Sequence, residues 1–428
     1  MQRTLIKNLE MNLGNEVCVK GWVHRIRKLS KVTFLVLRDR TGLIQCVLDN
    51  NNFQIEVKLE SVICILGRVV ESNNKIRKVE LQGSSIQIIS EVKEELPIEI
   101  NTKEINANLD TILDHRVLSL RQEKINAIFS VQGIIAEGFR EFLLKKDFTE
   151  IYTPKIVSEG AEGGTAIFKL KYFNKDVFLA QSPQFYKQMM VGAGYERVFE
   201  IAHVYRAEEH NTNRHLNEYV SMDLEIGFIK DEEEIVELET KILSHIMNKL
   251  KLESKDLILN LDIKLPNIKE NIPRISFTKA IDILEKEYGK KCNEGDLDPE
   301  SEKLICKYAE EKLGSEFLFI MDYPRKKRPM YTMPKGKDFT HSFDLLFRGL
   351  EITTGGQRIH DYNMLKENMI YKGLNPEDFK TYMDTFRYGM PPHGGLAIGL
   401  ERLTMKILGL SNVREASLFP RDRTRILP

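Results

Sequence analysis

The segment VYRAEEHNTNRHLNEYVSMDLEIGF, residues 204–228, combines charged side chains with a pattern that predicts two strands joined by a loop. Arg206 and Glu208 precede the polar run, and Arg214 and His215 follow it. Arginine binds phosphate and carboxylate through a planar fork of donors, and it also stacks on flat rings. We therefore expect this loop to hold a ligand that is both anionic and flat.

The usual phosphate-binding loops are missing from the sequence. It contains no GxxxxGK[ST] loop and no GxGxxG following a predicted strand, so side chains would have to hold any nucleotide. Two acids, Asp344 and Glu351, lie seven residues apart in DLLFRGLE. On a single strand this odd spacing would place them on opposite faces. We expect a turn at Arg348–Gly349, or two adjacent strands, to bring the acids together.

The N-terminal part of the chain reads as a small barrel. Short runs rich in β-branched residues, separated by turn segments such as DRTG and ESNNK, predict five strands between residues 16 and about 90. This pattern favours an OB-fold. Basic residues surround the single tryptophan, Trp22, and suit single-stranded nucleic acid; a solvated basic face on a structural barrel is the alternative. These residues are Lys20, His24, Arg25, Arg27, Lys28 and Lys31.

The rest of the chain predicts a second and larger domain. Apolar spacing predicts a long helix over 125–143, and Pro154 in the following apolar run belongs at a sheet edge or an interface. Later apolar runs carry polar residues at their ends without regular strand–helix alternation, which predicts an antiparallel sheet flanked by helices around a polar cleft. The predicted fold class is α+β, with an OB-fold barrel at 1–97, a hinge at 98–118 and a catalytic domain at 119–428.

Bulk composition excludes several classes of protein. The 63 basic and 63 acidic residues balance, so the whole-molecule charge does not itself point to nucleic acid. The five cysteines are scattered without a CxxC pair, which argues against a zinc site or a disulfide framework and fits a reducing cytoplasm. No apolar run has transmembrane length, and the start lacks a signal-peptide core. We therefore expect a cytoplasmic protein without a membrane partner.

The charged segments occur in a familiar order. Arg206 with its loop and Arg214–His215, and GLERL at 399–403, resemble motifs two and three of class II aminoacyl-tRNA synthetases, near 199–227 and 395–408. KKDFTEIYTPKI resembles motif one, the dimer-interface helix and strand, near 125–157. The finer resemblance is to aspartyl-tRNA synthetases of the compact archaeal type, through four segments: AEGGT at 161–165, QSPQFYKQ at 181–188, GGQRIHD at 355–361 and FRYGMPPHGG at 386–395.

This resemblance implies ATP-dependent attachment of L-aspartate to tRNA through aspartyl-adenylate, with Mg²⁺ as cofactor and a homodimer as the assembly. It implies that Arg206 is catalytic and bridges the substrate carboxylate and the α-phosphate, where a fixed cation stabilises the transition state. Glu208 would accept from the adenine amino group, and Arg214, His215 and Arg402 would hold the outer phosphates. The implied ATP-binding residues are Arg206, Ala207, Glu208, Arg214, His215, Leu216, Glu351, Gly399, Leu400, Glu401 and Arg402.

The same resemblance implies where the amino acid and the metal bind. Glu162 and Gln184 would hold the α-ammonium group, and Lys187 and Arg358 would bind the side-chain carboxylate. Glycines at 163–164 and 355–356 would let the backbone approach the ligand closely. The implied aspartate-binding residues are Glu162, Gln184, Phe185, Tyr186, Lys187, Arg206, Thr354 and Arg358. The implied magnesium ligands are Asp344, Glu351 and Thr354, whose oxygens suit this ion.

The sequence departs from the family pattern at two positions. Asp147 precedes the aromatic residue of motif one where glycine is usual, and Thr354 replaces the common serine after the metal-binding glutamate. Neither change removes a chemical group that the reaction needs. The threonine keeps the hydroxyl.

In the barrel, the resemblance implies that four residues read the anticodon: Phe34, Gln45, Glu80 and His24. Members that are strict for tRNA(Asp) often carry a tryptophan at the position of His24, and a basic residue near that of Ile76. Histidine is smaller and can donate or accept by changing tautomer. We therefore expect a non-discriminating enzyme that places aspartate on tRNA(Asp) and tRNA(Asn), which requires an amidotransferase partner.

Two alternatives remain open from the sequence. The same scaffold could serve asparagine, as an asparaginyl-tRNA synthetase or as a tRNA-free amide-forming paralogue. It could also be a non-catalytic nucleic-acid-binding protein on an inactivated scaffold. The presence of every motif arginine and of both acids disfavours the inactive form, and the basic segment of the barrel disfavours the tRNA-free form.

Overall fold

The computed structural model describes residues 1–53, 56–160, 166–209, 212–260, 262–268, 271–292 and 295–427. The chain divides into two compact units, Met1–Ala107 and Asn108–Pro428. The boundary falls within the 98–118 segment, and its action as a hinge stays a prediction. The sequence of this segment shows no periodicity, yet residues 109–114 and 116–119 are helical. The Asn108 side chain starts the first of these helices by accepting the backbone N–H of Thr111.

The N-terminal unit is a closed barrel with strand order β1-β2-β3-β5-β4 in its described residues. The strands are β1 Glu16–Lys28, β2 Val32–Asp39, β3 Gly42–Asp49, β4 Val62–Glu71 and β5 Val79–Ser90. Alternate β-branched and leucine side chains, including Val19, Leu35, Ile44 and Ile65, fill its interior. Alternation places the intervening residues on the outer face. The predicted OB-fold barrel is confirmed.

The C-terminal unit contains helices and strands that alternate irregularly along the chain. Its α-helices in the described residues are α1 Leu109–Asp114, α2 Arg116–Ser119, α3 Glu123–Leu144, α4 Gln184–Met190, α5 Glu233–Glu253, α6 Lys255–Asn260, α7 Phe277–Tyr288, α8 Pro299–Tyr308, α9 Tyr362–Tyr371, α10 Lys380–Arg387 and α11 Leu400–Leu408. Its strands there are β6 Thr149–Glu150, β7 Ile156–Val157, β8 Lys169–Tyr172, β9 Lys175–Leu179, β10 Arg197–Tyr205, β11 Glu218–Gly227, β12 Arg274–Ser276, β13 Phe317–Met321, β14 Pro334–Lys335, β15 Phe339–Thr340, β16 Ser342–Phe347, β17 Leu350–Arg358 and β18 His393–Gly399.

One large sheet organises this unit. In the described residues its strand order is β12-β13-β16-β17-β18-β11-β10-β6. The α+β prediction is confirmed, and the sheet is antiparallel except at its two edges, where β12 pairs with β13 and β6 pairs with β10 in parallel. A parallel pair needs a long crossover. The first such connection contains α7 and α8, and the second contains β7–β9 and α4.

The two faces of the central strands have different character. Along β11, Met222 and Leu224 belong to the main apolar core, together with residues of α3, α5 and α11. Ser221 and Asp223, the alternate residues, point to the opposite face. The sheet therefore buries one face against helices and presents polar groups on the other.

The helix of motif one ends in a way that explains an unusual residue. α3 covers the predicted 125–143 range, and Asp147 after it has φ of +62°. This left-handed conformation suits glycine, and aspartate is among the residues that tolerate it best. Asp147 can thus replace the usual glycine while the chain turns into Phe148, whose N–H donates to the Leu143 carbonyl at 3.1 Å.

None of the helices in the described part of the chain combines the length and apolar character needed to cross a membrane.

Candidate active site

A cavity of about 1140 Å³ lies on the polar face of the large sheet. Its walls come from β11, β17 and β18, from the loop after β10, and from the segment Lys326–Thr332. Most of the residues that the sequence predicted for ATP and aspartate are brought together here. Those that line the cavity are Gln184, Arg206, Glu208, Arg214, His215, Leu216, Glu351, Thr354, Arg358, Gly399, Glu401 and Arg402.

Arg206 lies immediately after the last residue of β10, on a well-held backbone. Its N–H donates to the Asn217 carbonyl at 2.9 Å, and the Asn217 side-chain amide donates to the Arg206 carbonyl at 2.7 Å. The centre of its guanidinium lies 5.9 Å from the centre of the Tyr219 ring. The cation therefore projects into the cavity from a backbone that is fixed on both sides of the motif-two loop.

Arg214 and Arg402 form a second cationic group. Both oxygens of Glu302 lie 2.7 Å from Nη2 of Arg214. Arg402, on α11, donates from Nε to the Arg214 carbonyl at 3.3 Å and from Nη1 to the Glu351 carbonyl at 3.0 Å. The motif-two loop, motif three and the start of β17 are thus tied together around two guanidinium groups that can meet phosphate.

His215 and Glu208 face each other at the cavity wall, with 3.6 Å between Nε2 and the carboxylate. The other ring nitrogen of His215, Nδ1, lies 2.6 Å from the Thr212 hydroxyl. Burial lowers the pKa of His215, and the positive charges of Arg402 and Arg214 add to this, while Glu208 opposes it. A neutral imidazole can donate a hydrogen bond to phosphate or sugar oxygen but supplies no full charge.

The predicted turn between the two acids is present. Arg348 and Gly349 both have positive φ, +47° and +78°, and they join β16 to β17. Asp344 pairs with Thr354 across the two strands, and the Thr354 hydroxyl donates to the Glu351 carboxylate at 3.0 Å. The odd spacing in the sequence therefore corresponds to a tight hairpin.

The three predicted magnesium ligands differ in how well they fit the ion. The Glu351 carboxylate and Thr354 hydroxyl are hard oxygen donors on the cavity wall, as Mg²⁺ requires. Burial opposes ionisation, but Arg402 helps to hold the pKa of Glu351 below its ordinary value. Asp344 instead lies 2.8 Å from Nη2 of Arg328, and burial raises its pKa to about 6 although Arg328 opposes this. The described residues contain no cluster of three His, Cys, Asp or Glu placed to hold a metal.

A buried network of two cations and two anions lies at the cavity wall. Lys187 is fully buried, with Nζ 2.8 Å from Asp223 and 3.6 Å from Glu225. Arg358 donates from Nε to Glu225 at 2.9 Å. Burial favours the neutral acid, but Arg358 and Lys187 hold the pKa of Glu225 below its ordinary value. Lys187 and Arg358 thus each have an acidic partner within this network, and their binding of a substrate carboxylate stays a prediction.

Several other predicted residues have different positions from those expected. Lys187 lies behind the wall; Phe185 and Tyr186 line a separate cavity of about 320 Å³; Leu400 is part of the apolar core. The Ala207 N–H donates to the Ala166 carbonyl at 3.0 Å. Glu162, Gly163 and Gly164 lie outside the described residues. The roles of all these residues stay predictions.

Glycine has a packing role next to the site. A Cβ added at Gly355 would lie 2.4 Å from the Phe343 ring, and one at Gly356 would lie 2.5 Å from the His341 carbonyl oxygen. Both distances are far inside van der Waals contact. The protein itself therefore requires these glycines, whether or not a ligand approaches their backbone.

Comparison with known proteins decides the family. Residues 108–423 match the model for class II tRNA synthetases (D, K and N), and residues 17–89 match an OB-fold nucleic acid binding domain.

The chain belongs to the class II tRNA synthetases of the D, K and N group.

Full-length relatives agree with this assignment. The chain is 47% identical to the aspartate–tRNA(Asp/Asn) ligase of Thermus thermophilus, with 100% of both chains covered. It is 42% identical to the aspartate–tRNA(Asp) ligase of Pyrococcus horikoshii, covering 98% of this chain and 97% of the relative. Among solved structures, asparaginyl-tRNA synthetase from Pyrococcus horikoshii with asparaginyl-adenylate has a TM-score of 0.93 at 30% identity, with 100% of both chains covered. An aspartyl-tRNA synthetase from Entamoeba histolytica has a TM-score of 0.87 at 30% identity, covering 100% of this chain and 93% of that one. The fold alone thus does not separate the two amino acids.

In this class II synthetase, two acids of the buried network were missed by sequence reasoning. Asp223 lines the cavity, and Glu225 lies beneath it. The signal was available, because Met222, Leu224 and Ile226 alternate as apolar residues and so place Ser221, Asp223 and Glu225 on the other face of β11. Arg328 had no comparable signal, because it lies in the irregular segment RKKRPMY.

Within the N-terminal unit, the predicted anticodon residues lie on neighbouring strands of the barrel. Phe34 is half-buried on β2 opposite Arg27 of β1, and Gln45 on β3 donates to the Glu80 carboxylate at 2.9 Å. Glu80 also accepts from the Ser72 hydroxyl at 2.9 Å. An aromatic ring, a guanidinium and fixed polar groups are thus placed where bases and phosphates could meet them.

His24 is held differently from the sequence expectation. It is the extra residue of a β-bulge, between the pairs Val23–Leu37 and Arg25–Val36. Its Nδ1 lies 3.3 Å from Nη1 of Arg38, which can only donate. Nδ1 therefore accepts, and the proton of the neutral ring is on Nε2. Burial and the charge of Arg38 lower the pKa of His24, so the expected exchange of tautomers is opposed by its neighbour.

Proposed function

We propose that this chain attaches L-aspartate to tRNA in an ATP-dependent reaction that proceeds through aspartyl-adenylate. The observation that carries the proposal is the set of cations at one cavity: Arg206, Arg214, Arg358 and Arg402 line it, and the buried Lys187 lies behind its wall. The full-length relatives that are 40–47% identical are named as aspartate ligases for tRNA, which supports the same substrate.

The buried network suits a zwitterionic amino acid with an acidic side chain. Asp223 and Gln184 on the cavity wall can receive the α-ammonium group. The positive α-ammonium group would offset the negative charge of Asp223. The charge of Lys187 would then be less fully neutralised by Asp223, and Lys187 would attract a second anion. The side-chain carboxylate would then meet Arg358 and the field of Lys187. Asparagine offers no such charge, and a site built for a charged group rejects a neutral isostere strongly.

Adenylate formation is an in-line displacement in which the aspartate α-carboxylate attacks the α-phosphorus of ATP and pyrophosphate leaves. In the proposed reaction Arg206 contacts the carboxylate and the α-phosphate, and Arg214 and Arg402 hold the outer phosphates. Fixed cations of this kind act mainly on the charge that develops in the transition state. Mg²⁺, bound through Glu351 and Thr354, would supply further neutralisation of phosphate charge. Asp344 would join them only by exchanging its arginine partner.

Charging of tRNA tests the proposal directly. A tRNA(Asp) transcript incubated with the protein, ATP, Mg²⁺ and labelled aspartate should acquire acid-precipitable label. If a parallel reaction with labelled asparagine gave the label instead, the chain would be assigned to asparagine. Activation of aspartate without any transfer to tRNA would identify a tRNA-free paralogue.

We further propose that the chain accepts tRNA(Asn) as well as tRNA(Asp). One relative named for both tRNAs is 47% identical, and one named for tRNA(Asp) alone is 42% identical. His24 is smaller than the tryptophan of strict members, although its tautomer is fixed by Arg38. The small size of His24, rather than an exchange of tautomers, therefore supports acceptance of tRNA(Asn). An amidotransferase partner, which such an enzyme requires, and a cytoplasmic location stay predictions.

Two transcripts that differ only at the third anticodon base, C or U, test dual specificity. We expect values of kcat/KM within about 10²-fold of each other, because one well-placed hydrogen-bonded pair separates two bases by about 1–3 kcal/mol. A larger preference for C would show that the enzyme is strict.

A further inference from the structure

Glu302 is a buried acid outside all three motifs, and it contacts two of the elements that line the cavity. It lies on α8, and its residue is 5% exposed. Its two oxygens each lie 2.7 Å from Nη2 of Arg214, which is 88 positions earlier in the chain. One of these oxygens also accepts the backbone N–H of Glu351 at 3.1 Å, 49 positions later.

These contacts place Glu302 behind the cavity wall rather than in it. Arg214 and Glu351 line the cavity, and the Glu302 side chain is only 7% exposed beside an Arg214 side chain that is 13% exposed. Glu302 holds Nη2 of Arg214, while the Arg214 residue itself lines the cavity. Arg402 also donates to the carbonyls of Arg214 and Glu351. Arg214 and Glu351 are therefore connected twice, once through Glu302 and once through Arg402.

An arginine in a loop would otherwise lose conformational freedom each time it binds a phosphate. Fixing a flexible side chain in advance removes that cost from binding. It also keeps the guanidinium at one distance from the transferring group, which matters in a reaction that depends on positioning. The tie to Glu351 extends the same restraint to the residue that fits Mg²⁺.

We propose that Glu302 is a positioning residue for ATP, which fixes the guanidinium of Arg214 toward the outer phosphates and holds it in register with Glu351. This inference rests on the proposed function, because it takes Arg214 to bind the phosphates of ATP. Glu302 does not touch the substrate itself, and its effect is transmitted through Arg214. A purely structural ion pair would instead support the fold without a specific effect on ATP.

Glu302→Gln is the sharpest substitution. The amide has the same shape, and its oxygen can still accept the Glu351 N–H, but it removes the charge and places a donor against Arg214. We expect the KM for ATP in ATP–pyrophosphate exchange to rise by about tenfold while the KM for aspartate changes less than about twofold, since only the phosphate-binding side chain loses its fixed position. Glu300→Gln on the same helix is the matched control, because Glu300 is exposed and pairs with Lys290. That control should behave as wild type.

A double-mutant cycle separates positioning from general support of the fold. If Glu302 acts through Arg214, then adding Glu302→Gln to Arg214→Ala should change kcat/KM for ATP by less than about twofold. The proposal would be overturned if the losses of kcat/KM caused by Glu302→Gln and Arg214→Ala multiplied in the double variant. An unchanged KM for ATP in Glu302→Gln would also overturn it, and so would equal rises in the KM values for ATP and aspartate. Thermal unfolding of each variant identifies any loss of fold. If Arg214→Ala unfolds, Arg214→Met, which also removes the ion pair with Glu302, replaces it in the cycle. Wild-type protein that fails to exchange with aspartate would refute the proposed function instead.

Discussion

Arg206, the residue proposed to contact the α-phosphate, extends from a well-held backbone. Asn217 holds its backbone through hydrogen bonds of 2.9 and 2.7 Å, so the guanidinium projects from a fixed point at the end of β10. Such a group needs little rearrangement as charge develops on the phosphate, and this preorganisation gives electrostatic catalysis its size.

Replacing Arg206 by alanine should abolish most adenylate formation and leave the fold intact. We expect kcat for ATP–pyrophosphate exchange to fall by about 10² or more, because the lost interaction is strongest in the transition state. Arg206→Lys keeps the charge but not the fork, and should recover only part of the rate. A defect confined to the KM for ATP would show that Arg206 binds ground state and transition state equally.

Glu239 makes a prediction about stability and pH. This residue of α5 is fully buried, and burial raises its pKa from 4.5 to about 8, with the negative charge of Asp344 adding to the rise and Thr353 opposing it. The folded state therefore holds a proton that the unfolded state releases. The free energy of unfolding of the wild type should therefore fall, relative to that of Glu239→Gln, as the pH rises from 4.5 to 8. The slope of this fall should be up to about 1.4 kcal/mol per pH unit.

Urea unfolding of wild type and Glu239→Gln at pH 5 and pH 8 measures this difference. Glu237→Gln, an exposed change on the same helix, should show no pH-dependent difference from wild type. A gap between wild type and Glu239→Gln that stays constant with pH would contradict a raised pKa.

Individual site residues could be predicted from the sequence to the extent that a motif fixes their role. The motif arginines and the Asp344–Glu351 hairpin were placed correctly on neighbouring elements, because short spacing and a glycine turn are local signals. Pairing partners were not predictable. The contacts Arg214–Glu302, Arg328–Asp344 and Lys187–Asp223 join residues that are far apart in sequence, and charge type alone does not select among many possible partners.

Among the helices and strands, the longer ones could be predicted from the sequence and the shortest could not. The long helix α3 and the five barrel strands have clear apolar periodicity, and they appear near their predicted positions. The two parallel edge strands, β6 with two residues and β12 with three, are too short for any periodic signal. The bulge at His24 was also invisible, because a single inserted residue changes the register without changing the composition.

The barrel as an element makes a prediction that separates tRNA binding from amino-acid activation. Phe34→Ala should lower kcat/KM for tRNA charging by about tenfold or more, because stacking of one base is worth roughly 1–3 kcal/mol. Exchange of pyrophosphate should stay near wild type. Ile89→Ala on β5 is a control, since its side chain is also apolar and is 51% exposed. If exchange fell as far as charging, Phe34 would be structural.

At the scale of the whole molecule, the family resemblance predicts a homodimer through motif one. Large apolar side chains are exposed along this segment, including Tyr152 at 84%, Leu144 at 50% and Ile156 at 49%. Exposed apolar surface of this kind marks interaction sites. We therefore propose a twofold contact that covers them, the commonest form of oligomer.

Sedimentation at micromolar concentration tests this assembly. Wild type should sediment as a dimer of 49.6 kDa chains. The double variant Tyr152→Asp with Ile156→Asp should shift toward monomer, because a dimer contact would bury its new unpaired charges. The matched double change Tyr172→Asp with Leu170→Asp, on exposed residues of β8, should leave the dimer intact. A monomeric wild type would refute the assignment.

The proposed function requires this class II synthetase to activate aspartate. ATP–pyrophosphate exchange with each of the twenty amino acids, at equal concentration and with Mg²⁺ present, measures this without tRNA. We expect rapid exchange with aspartate and a rate with asparagine that is lower by roughly 10⁴, the discrimination that a site of paired polar groups can reach. Exchange that runs faster with asparagine, or no exchange with aspartate, would contradict it.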